Sequence, residues 1–429
     1  MIASLYDKYL SATGVSTDTR RIKSGNIFFA LRGPNFNANK FAKAALEQGA
    51  SFAVIDDPDH KLEDDRYILV ENALKTLQEL AIHHRSKLKI PVIGITGSNG
   101  KTTTKELINE VLSKKFVTFA TAGNLNNHIG VPISVLSIGP KVEIAIIEMG
   151  ANKVGDIAEL CEMARPTHGL ITNIGKAHIE GFGGFEGVIR GKSELYQYLL
   201  DHHGKVFINS QNEILNKMAE RFDRPYYYPD YSDYYHCELV TADPFLVIRS
   251  DKGNLIETNL VGKYNFENIA AALCVGKFFE VDNKKANRAI SKYTPSNNRS
   301  QIIKKGNNML ILDAYNANPV SMRAAIENIA EMESGNKVVI LGDMNELGEI
   351  SEEEHYKIGE LTKERHFNKV IFCGKKILAA KNANPESTYF KEKDQLIDYL
   401  HENPFDKALI LIKASRSLGL EQLVDVIEK

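Results

Sequence analysis

A chain of 429 residues is too long for one hydrophobic core and implies two to four domains. Apolar residues at 43% and charged residues at 25% are ordinary for a globular protein. The formal net charge of −2 excludes a field suited to nucleic acid or an anionic membrane, so a charged ligand must be met by local groups.

In chain order, the opening stretch MIASLYDKYLSATG has no basic region followed by an apolar run, and no signal peptide is expected. In STDTRRIKSGNIFFALRG, the residues Asp18, Thr19 and Arg20 form a charged turn before a strand and can supply hydrogen bonds and a bidentate grip. Strand GNIFFAL, helix NKFAKAALEQGA and strand SFAVID complete a compact α/β pattern before Lys89. A longer series follows. Strand PVIGITG leads a helix whose Leu107, Ile108, Val111 and Leu112 share one face, and VEIAIIEMG, HGLITNIG and KVFINS read as further strands. The tyrosine cluster PYYYPDYSDYYHCE suits β structure rather than base stacking, because Asp230, Asp233 and Glu238 would repel a phosphate backbone.

The polar segment Ser291 to Gln301 reads as a linker. Beyond it the alternation restarts with NMLILDAYNANP, KVVILGD, KVIFCG and ALILIKAS. The pattern predicts an α/β protein with parallel sheets in three domains, 1–88, 89–294 and 295–429. Ile144 to Ile147 and similar runs are far too short to span a bilayer, so no membrane insertion is expected. Cys161, Cys237, Cys274 and Cys373 form no metal-type pair and fit packing residues in a reducing cytoplasm.

The stretch GITGSNGKTTTK carries the first chemistry. A strand entering a glycine-rich turn and then a helix gathers backbone N–H groups around an anion, and the helix N-terminus adds partial positive charge. Gly97 and Gly100 permit angles closed to other residues, Lys101 can reach terminal phosphates, and the Thr102 hydroxyl can bind Mg²⁺. The ordinary P-loop has four residues between its first glycine and the Gly-Lys pair. Here five separate Gly94 from Gly100 and two separate Gly97 from it, so the strict motif fails by spacing.

Glu148 closes the apolar run IAIIE, at the sheet edge where α/β proteins bind ligands, and a carboxylate there can hold a metal. Taken alone, His178 in NIGKAHIEGFGGF reads as a structural histidine and Lys192 in GVIRGKSELYQYL as a solvated helix lysine. Asn265 and Asn268 share a helical face, and side-chain amides can read an adenine edge. Asp313, Tyr315, Asn316 and Asn318 fall in a loop after a strand. Ser351 and Glu354 have the spacing of a capping box, with His355 on the exposed side of that helix.

The turn Thr96-Gly97-Ser98-Asn99-Gly100-Lys101-Thr102, followed by Thr103, resembles that of the Mur ligase family, ATP-dependent enzymes building the peptide of bacterial cell-wall precursors. Folylpolyglutamate synthases are similar there. TAGNLNNHIGVP, EMGAN, AHIEGFGG and GKSELY occur in the Mur ligase order, and with ILGDMNELGE they look like the member that adds D-alanyl-D-alanine.

The resemblance implies a central P-loop-type ATPase domain, flanked by a small N-terminal α/β domain and a Rossmann-like C-terminal domain. It implies Mg²⁺ on Thr102, Glu148 and His178, and a carbamylated Lys192 as a further metal ligand, which needs an environment lowering the lysine pKa. It implies ATP contacts from Thr96 to Thr103 and from Asn265, Asn268, Arg299, Asp313, Tyr315, Asn316 and Asn318. Substrate contacts are implied at Asp18, Thr19, Arg20, Thr121, Asn124, Asn126 and Arg416. Lys101, His178 and Lys192 would be catalytic. The implied activity joins D-alanyl-D-alanine to UDP-N-acetylmuramoyl-tripeptide through an acyl phosphate, in a cytoplasmic monomer. The alternatives are the relative adding the third amino acid and a non-catalytic nucleotide-binding relative. Three departures stand out: Asn37, Ala38 and Asn39 replace Asp-Gly-His, while Asn298 and Ala414 each replace a glycine.

Overall fold

The computed structural model describes residues 1–427 apart from Ala177 and Asn297. Ala177, in the AHIEGFGG motif, and Asn297, in the expected linker, therefore lie outside the described residues. Val92–Thr96 and Ile144–Glu148 are buried along their whole length, as apolar runs are when helices cover both faces of a parallel sheet. They lie side by side in a six-stranded, all-parallel sheet. Its order is Tyr226–Tyr228, Lys205–Asn209, His168–Ile171, Val92–Thr96, Ile144–Glu148, Thr118–Ala120.

Alternate strand residues feed two cores, as the two-residue strand period requires. Ala145, Ile147, Ile171 and Ile208 pack with Leu160, Leu195 and Leu199 from the helices Asp156–Ala164 and Phe185–Asp201. Ile93, Ile95, Ile146 and Phe207 pack on the other face with Leu107, Ile108, Val111 and Leu112 of the helix Lys101–Leu112. The expected apolar face of that helix is therefore the buried one. The helix Asn265–Phe278 lies against it.

Before this sheet stands a smaller parallel one, ordered Gly14–Ser16, Asn26–Phe29, Phe52–Ile55, Tyr67–Leu69. The helix Ala73–Lys87 follows and packs on the helices Gly130–Leu136 and Asp156–Ala164, so Leu5, Ile27, Val54 and Leu77 share one core with Val131 and Ile147. NKFAKAALEQGA forms a 3₁₀ turn at Ala38–Phe41 and then only the short helix Ala42–Glu47.

The last six-stranded sheet runs Gln301–Lys305, Asn308–Asp313, Leu409–Lys413, Lys337–Gly342, Lys369–Cys373, Thr388–Phe390, with its first strand antiparallel. An antiparallel three-stranded sheet, Glu238–Thr241, Val247–Arg249 and Leu255–Glu257, was not anticipated from the sequence. The tyrosine cluster supplies the edge strand Tyr226–Tyr228, and its Tyr228 and Tyr235 are buried packing residues. Among the described residues, no helix is long and apolar enough to cross a membrane.

Two local expectations are corrected. Ser351 does not cap the helix Ser351–Glu364, which starts from Ile350 without a side-chain cap. The Glu354 carboxylate instead meets Lys176 at 3.1 Å. His355 is not on the surface but fully buried. Its Nδ1 donates to the Ser351 carbonyl at 2.6 Å and its Nε2 accepts the Met344 N–H at 2.9 Å. Burial lowers its pKa from the ordinary imidazole value, in keeping with a neutral ring that donates and accepts at once. Replacing it strands a buried backbone donor, which costs about 1–3 kcal/mol. His355→Ala is expected to lower urea-unfolding stability by that amount, and a change below about 0.5 kcal/mol, the scale of a neutral surface substitution, would contradict the buried role.

Candidate active site

The strand Val92–Thr96 delivers its chain into the turn Gly97 to Gly100, and the helix Lys101–Leu112 starts immediately after. Gly97 has φ +143°, and a Cβ there would lie 2.0 Å from Thr172 Oγ1. At Gly100, φ +79°, a Cβ would meet Asn268 Oδ1 at 2.5 Å. No side chain fits either place, so Gly100 is required at its ordinary P-loop position and Gly97 at one where a strict P-loop has none. The turn is clamped from the neighbouring strand end: Ser98 N donates to Asn173 O at 3.0 Å, Asn99 N to Asn173 Oδ1 at 2.9 Å, and Thr172 Oγ1 to Asn99 O at 2.5 Å.

Lys101 folds back over this turn, its Nζ donating to Gly97 O at 2.7 Å and Ser98 O at 3.2 Å. Burial pulls its pKa down to about 8, with Glu148 opposing the shift and Arg299 adding to it. Beside it, Glu148 is buried at the end of its strand. One carboxylate oxygen accepts from Thr102 Oγ1 at 2.9 Å and the other from Asn126 Nδ2 at 2.8 Å. Lys105 Nζ stands 3.8 Å from Glu148 Oε2 and donates to Thr121 O at 2.8 Å, while Thr121 Oγ1 accepts the Glu148 N–H.

These groups line a cavity of about 550 Å³ shared by two sheets. Ser98 to Thr103, Asn124, Asn126, Glu148, His178, Asn265 and Asn268 come from the central sheet and its helices. Arg299, Asp313, Tyr315, Asn316 and Asn318 come from the last sheet. The Arg299 guanidinium lies 3.7 Å from the centre of the Tyr315 ring and Arg416 5.2 Å from it, within cation–π range. Asn318 Nδ2 donates to Asn99 Oδ1 at 2.7 Å, joining the two walls. Asn99 Nδ2 and Arg299 Nε are buried here without a hydrogen-bond partner among the described residues, an arrangement costly unless a polar ligand answers them.

Several anticipated residues are placed differently. Asn265 and Asn268 reach the wall, but their amides form a chain from Thr104 Oγ1 through Asn268 and Asn265 to Val261 O, which pins one helix to the other. Thr96 and Gly97 sit outside the cavity lining, and Thr121 opens onto a second cavity. Lys192 is buried with its Nζ 5.3 Å from the Phe182 ring centre, and no described residue hydrogen-bonds it. Burial holds its pKa well below the ordinary value, Lys101 lowers it further, and Asp156 and Glu194 act the other way. Asp18 and Arg20 are not in the cavity: they grip each other at the surface, Arg20 Nη2 to Asp18 Oδ2 at 2.8 Å, with Thr19 in the same short turn.

Lys105, Lys413 and Asn173 were not anticipated. The buried Lys413 Nζ meets Asp313 Oδ2 at 2.5 Å, and the two residues are directly paired in register across adjacent strands. An acid ending one apolar strand and a base ending another was the available signal. Lys105 lies three residues after Thr102, on the helix face that turns toward Glu148.

The departures have local explanations. Asn298 has φ +56°, in the left-handed region that asparagine tolerates better than most side chains. The Ala414 methyl is accommodated by Gly342, where a Cβ would stand 2.8 Å from it. Asn39, buried, donates to Asp56 Oδ1 at 2.9 Å and Asn37 to Asp57 Oδ2 at 3.1 Å, so that segment is tied by its own amides.

Residues 95–276 match the Mur ligase middle domain and residues 298–416 the Mur ligase glutamate ligase domain. Over 97% of its length the chain is 34% identical to the UDP-N-acetylmuramoyl-tripeptide--D-alanyl-D-alanine ligase of Bacillus subtilis (strain 168), of which it covers 93%. The chain belongs to the Mur ligase family. Among solved structures, this Mur ligase is similar to MurF from Acinetobacter baumannii, with a TM-score of 0.88, 27% identity and coverage of 100% and 99% of the two chains. It is also similar to MurF ligase from Thermotoga maritima in complex with ADP, with a TM-score of 0.84, 25% identity and coverage of 98% of both chains. The two matched domains of this Mur ligase are the two walls of the cavity.

The depressed Lys101 value gives a direct check. With the unfolded value near 10.5, the folded state binds fewer protons between about 8 and 10.5, so this group's contribution to stability rises with pH across that window. NMR of ¹³Cε-labelled lysine in the ligand-free protein is expected to show the Lys101 resonance titrating near pH 8. A midpoint above 10 would contradict the desolvated placement of this partly buried lysine.

Proposed function

We propose that this Mur ligase joins D-alanyl-D-alanine to the terminal carboxylate of a UDP-N-acetylmuramoyl-tripeptide, using ATP and forming ADP. The observation that carries the reading is the shared cavity, with a lysine-bearing phosphate turn on one wall and the Arg299–Tyr315 pair on the other. The named activity of the Bacillus subtilis relative and the ADP held by the Thermotoga maritima structure support it.

A carboxylate is a poor electrophile, so one of its oxygens first attacks the γ-phosphorus of ATP, giving an acyl phosphate and ADP. The dipeptide's amine then attacks the acyl carbon. The tetrahedral intermediate expels phosphate, the amine loses its proton, and an amide remains. The N–H groups of the turn and Lys101 hold the ATP phosphates and offset charge on the group in flight. Arg299, Tyr315, Asn316 and Asn318 close over the nucleotide, with Asn265 and Asn268 at the base edge. The orphaned Asn99 amide and Arg299 Nε fit a polar ligand between the walls.

Among the described residues, no three His, Cys, Asp or Glu side chains gather for a metal. Mg²⁺ keeps waters and substrate phosphates in its shell and asks for few protein oxygens, and the hydrogen-bonded Thr102–Glu148 pair supplies two. Those residues would hold it, with His178 lining the same cavity, and it would neutralise phosphate charge. Lys192 fits a carbamate site: its depressed pKa favours the neutral amine, whose nitrogen can bond to CO₂ with release of a proton.

Asn124, Asn126 and Arg416 would meet the reacting end of the substrates, and Asp18, Thr19 and Arg20 on the first sheet the distant uridine end. Division at 88/89 and 294/295 separates the substrate, ATP and closing domains. The protein acts as a cytoplasmic monomer, a reading supported by its free, buried cysteines and by the family resemblance.

With ATP, Mg²⁺ and UDP-N-acetylmuramoyl-tripeptide, purified protein is expected to release phosphate only when D-alanyl-D-alanine is added. Release with a single amino acid instead would overturn the dipeptide assignment, and no release with any pairing would overturn the ligase reading.

A further inference from the structure

His178 lines the cavity from the loop after the central sheet's strand His168–Ile171, yet its polar partner comes from a loop of the last sheet. His178 Nδ1 lies 2.5 Å from Glu346 Oε2. Glu346 follows the strand Lys337–Gly342, in a loop the proposed chemistry does not otherwise use. Both residues have left-handed backbones, φ +54° at His178 and +63° at Glu346, which non-glycine residues adopt only where the surroundings hold them. The loops touch again nearby: a Cβ built on Gly348 lies 3.3 Å from Glu180 Cβ, and Lys176 Nζ meets Glu354 at 3.1 Å.

A histidine with one ring nitrogen on a carboxylate has its tautomer and ring plane fixed, and the other nitrogen is left for a ligand. With Nδ1 on Glu346, Nε2 is that nitrogen, and no described residue hydrogen-bonds it. We infer that Glu346 is the positioning residue for His178, orienting its imidazole toward the cavity only while the last domain is docked. This rests on the proposed ligase site, in which His178 faces Mg²⁺ and ATP. The contact links two loops that only domain docking brings together, so closure itself would complete the histidine's alignment.

The test uses the full chain carrying Glu346→Ala and Glu346→Gln, with His178→Ala to assign the imidazole signals. In ¹H–¹⁵N spectra of the ligand-free protein with labelled histidine, the wild type is expected to show His178 as a single Nδ1–H tautomer. Glu346→Ala should lose that uniform state, and Glu346→Gln, whose carbonyl still accepts from Nδ1–H, should keep most of it. In the ligase assay, Glu346→Ala should raise the Mg²⁺ concentration for half-maximal rate about 10–100-fold, with Glu346→Gln intermediate. An unchanged tautomer and unchanged Mg²⁺ dependence in Glu346→Ala would overturn the inference, as would equal loss in Ala and Gln variants without a Mg²⁺ shift. If wild type and His178→Ala are equally inactive, the ligase reading fails instead, and the spectra still decide the contact.

Discussion

The Glu148 carboxylate is the fixed point on which the site depends. It is buried, and its two oxygens are taken by different elements, Thr102 at the start of the phosphate helix and Asn126 in the loop after the strand Thr118–Ala120. A buried carboxylate is costly unless nearby groups answer it, and Lys105 from the same helix stands within 4 Å. That requirement locks the phosphate turn to the neighbouring strand end. Thr121 completes the arrangement by holding the Glu148 backbone through its hydroxyl and the Lys105 ammonium through its carbonyl. Loop, helix and strand are thus aligned by one charge before any ligand arrives.

The opposite wall is attached less firmly. The polar bridges between the two walls are few: the Asn318–Asn99 amide hydrogen bond, His178 to Glu346, and the half-exposed Lys176 to Glu354, and single contacts of this kind contribute only about 0.5–1.5 kcal/mol each. Val261, from the central part of the chain, does pack in the last sheet's core, with Phe245 against it. The arrangement suits a site that must open to three reactants and then bring them into line, since positioning supplies much of the rate gain in such a reaction.

The α/β class and the main strands were legible in the sequence, because buried parallel strands read as apolar runs, and half of the cavity lining was named from the polar residues at their ends and from the family resemblance. Hidden were features set by partners far along the chain. Lys413 needs Asp313 across the sheet, and Glu346 needs His178 across the cavity. His355 was misread from its neighbours in SEEEHYKIGE, although its three- and seven-residue spacing to Ile358 and Thr362 puts it on the helix's buried face. The glycine replacements at Asn298 and Ala414 looked like losses by sequence, yet each is absorbed locally, one by asparagine's tolerance of the left-handed region and the other by the missing side chain of Gly342.

The phosphate turn of this Mur ligase serves to activate a carboxylate. Tripeptide substrate labelled with ¹⁸O in its terminal carboxylate tests it most directly. Transfer through an acyl phosphate moves one carboxylate oxygen into the released phosphate, so mass spectrometry should find one ¹⁸O in the phosphate for each amide formed from fully labelled substrate. Phosphate released without label while amide accumulates would rule out an acyl phosphate.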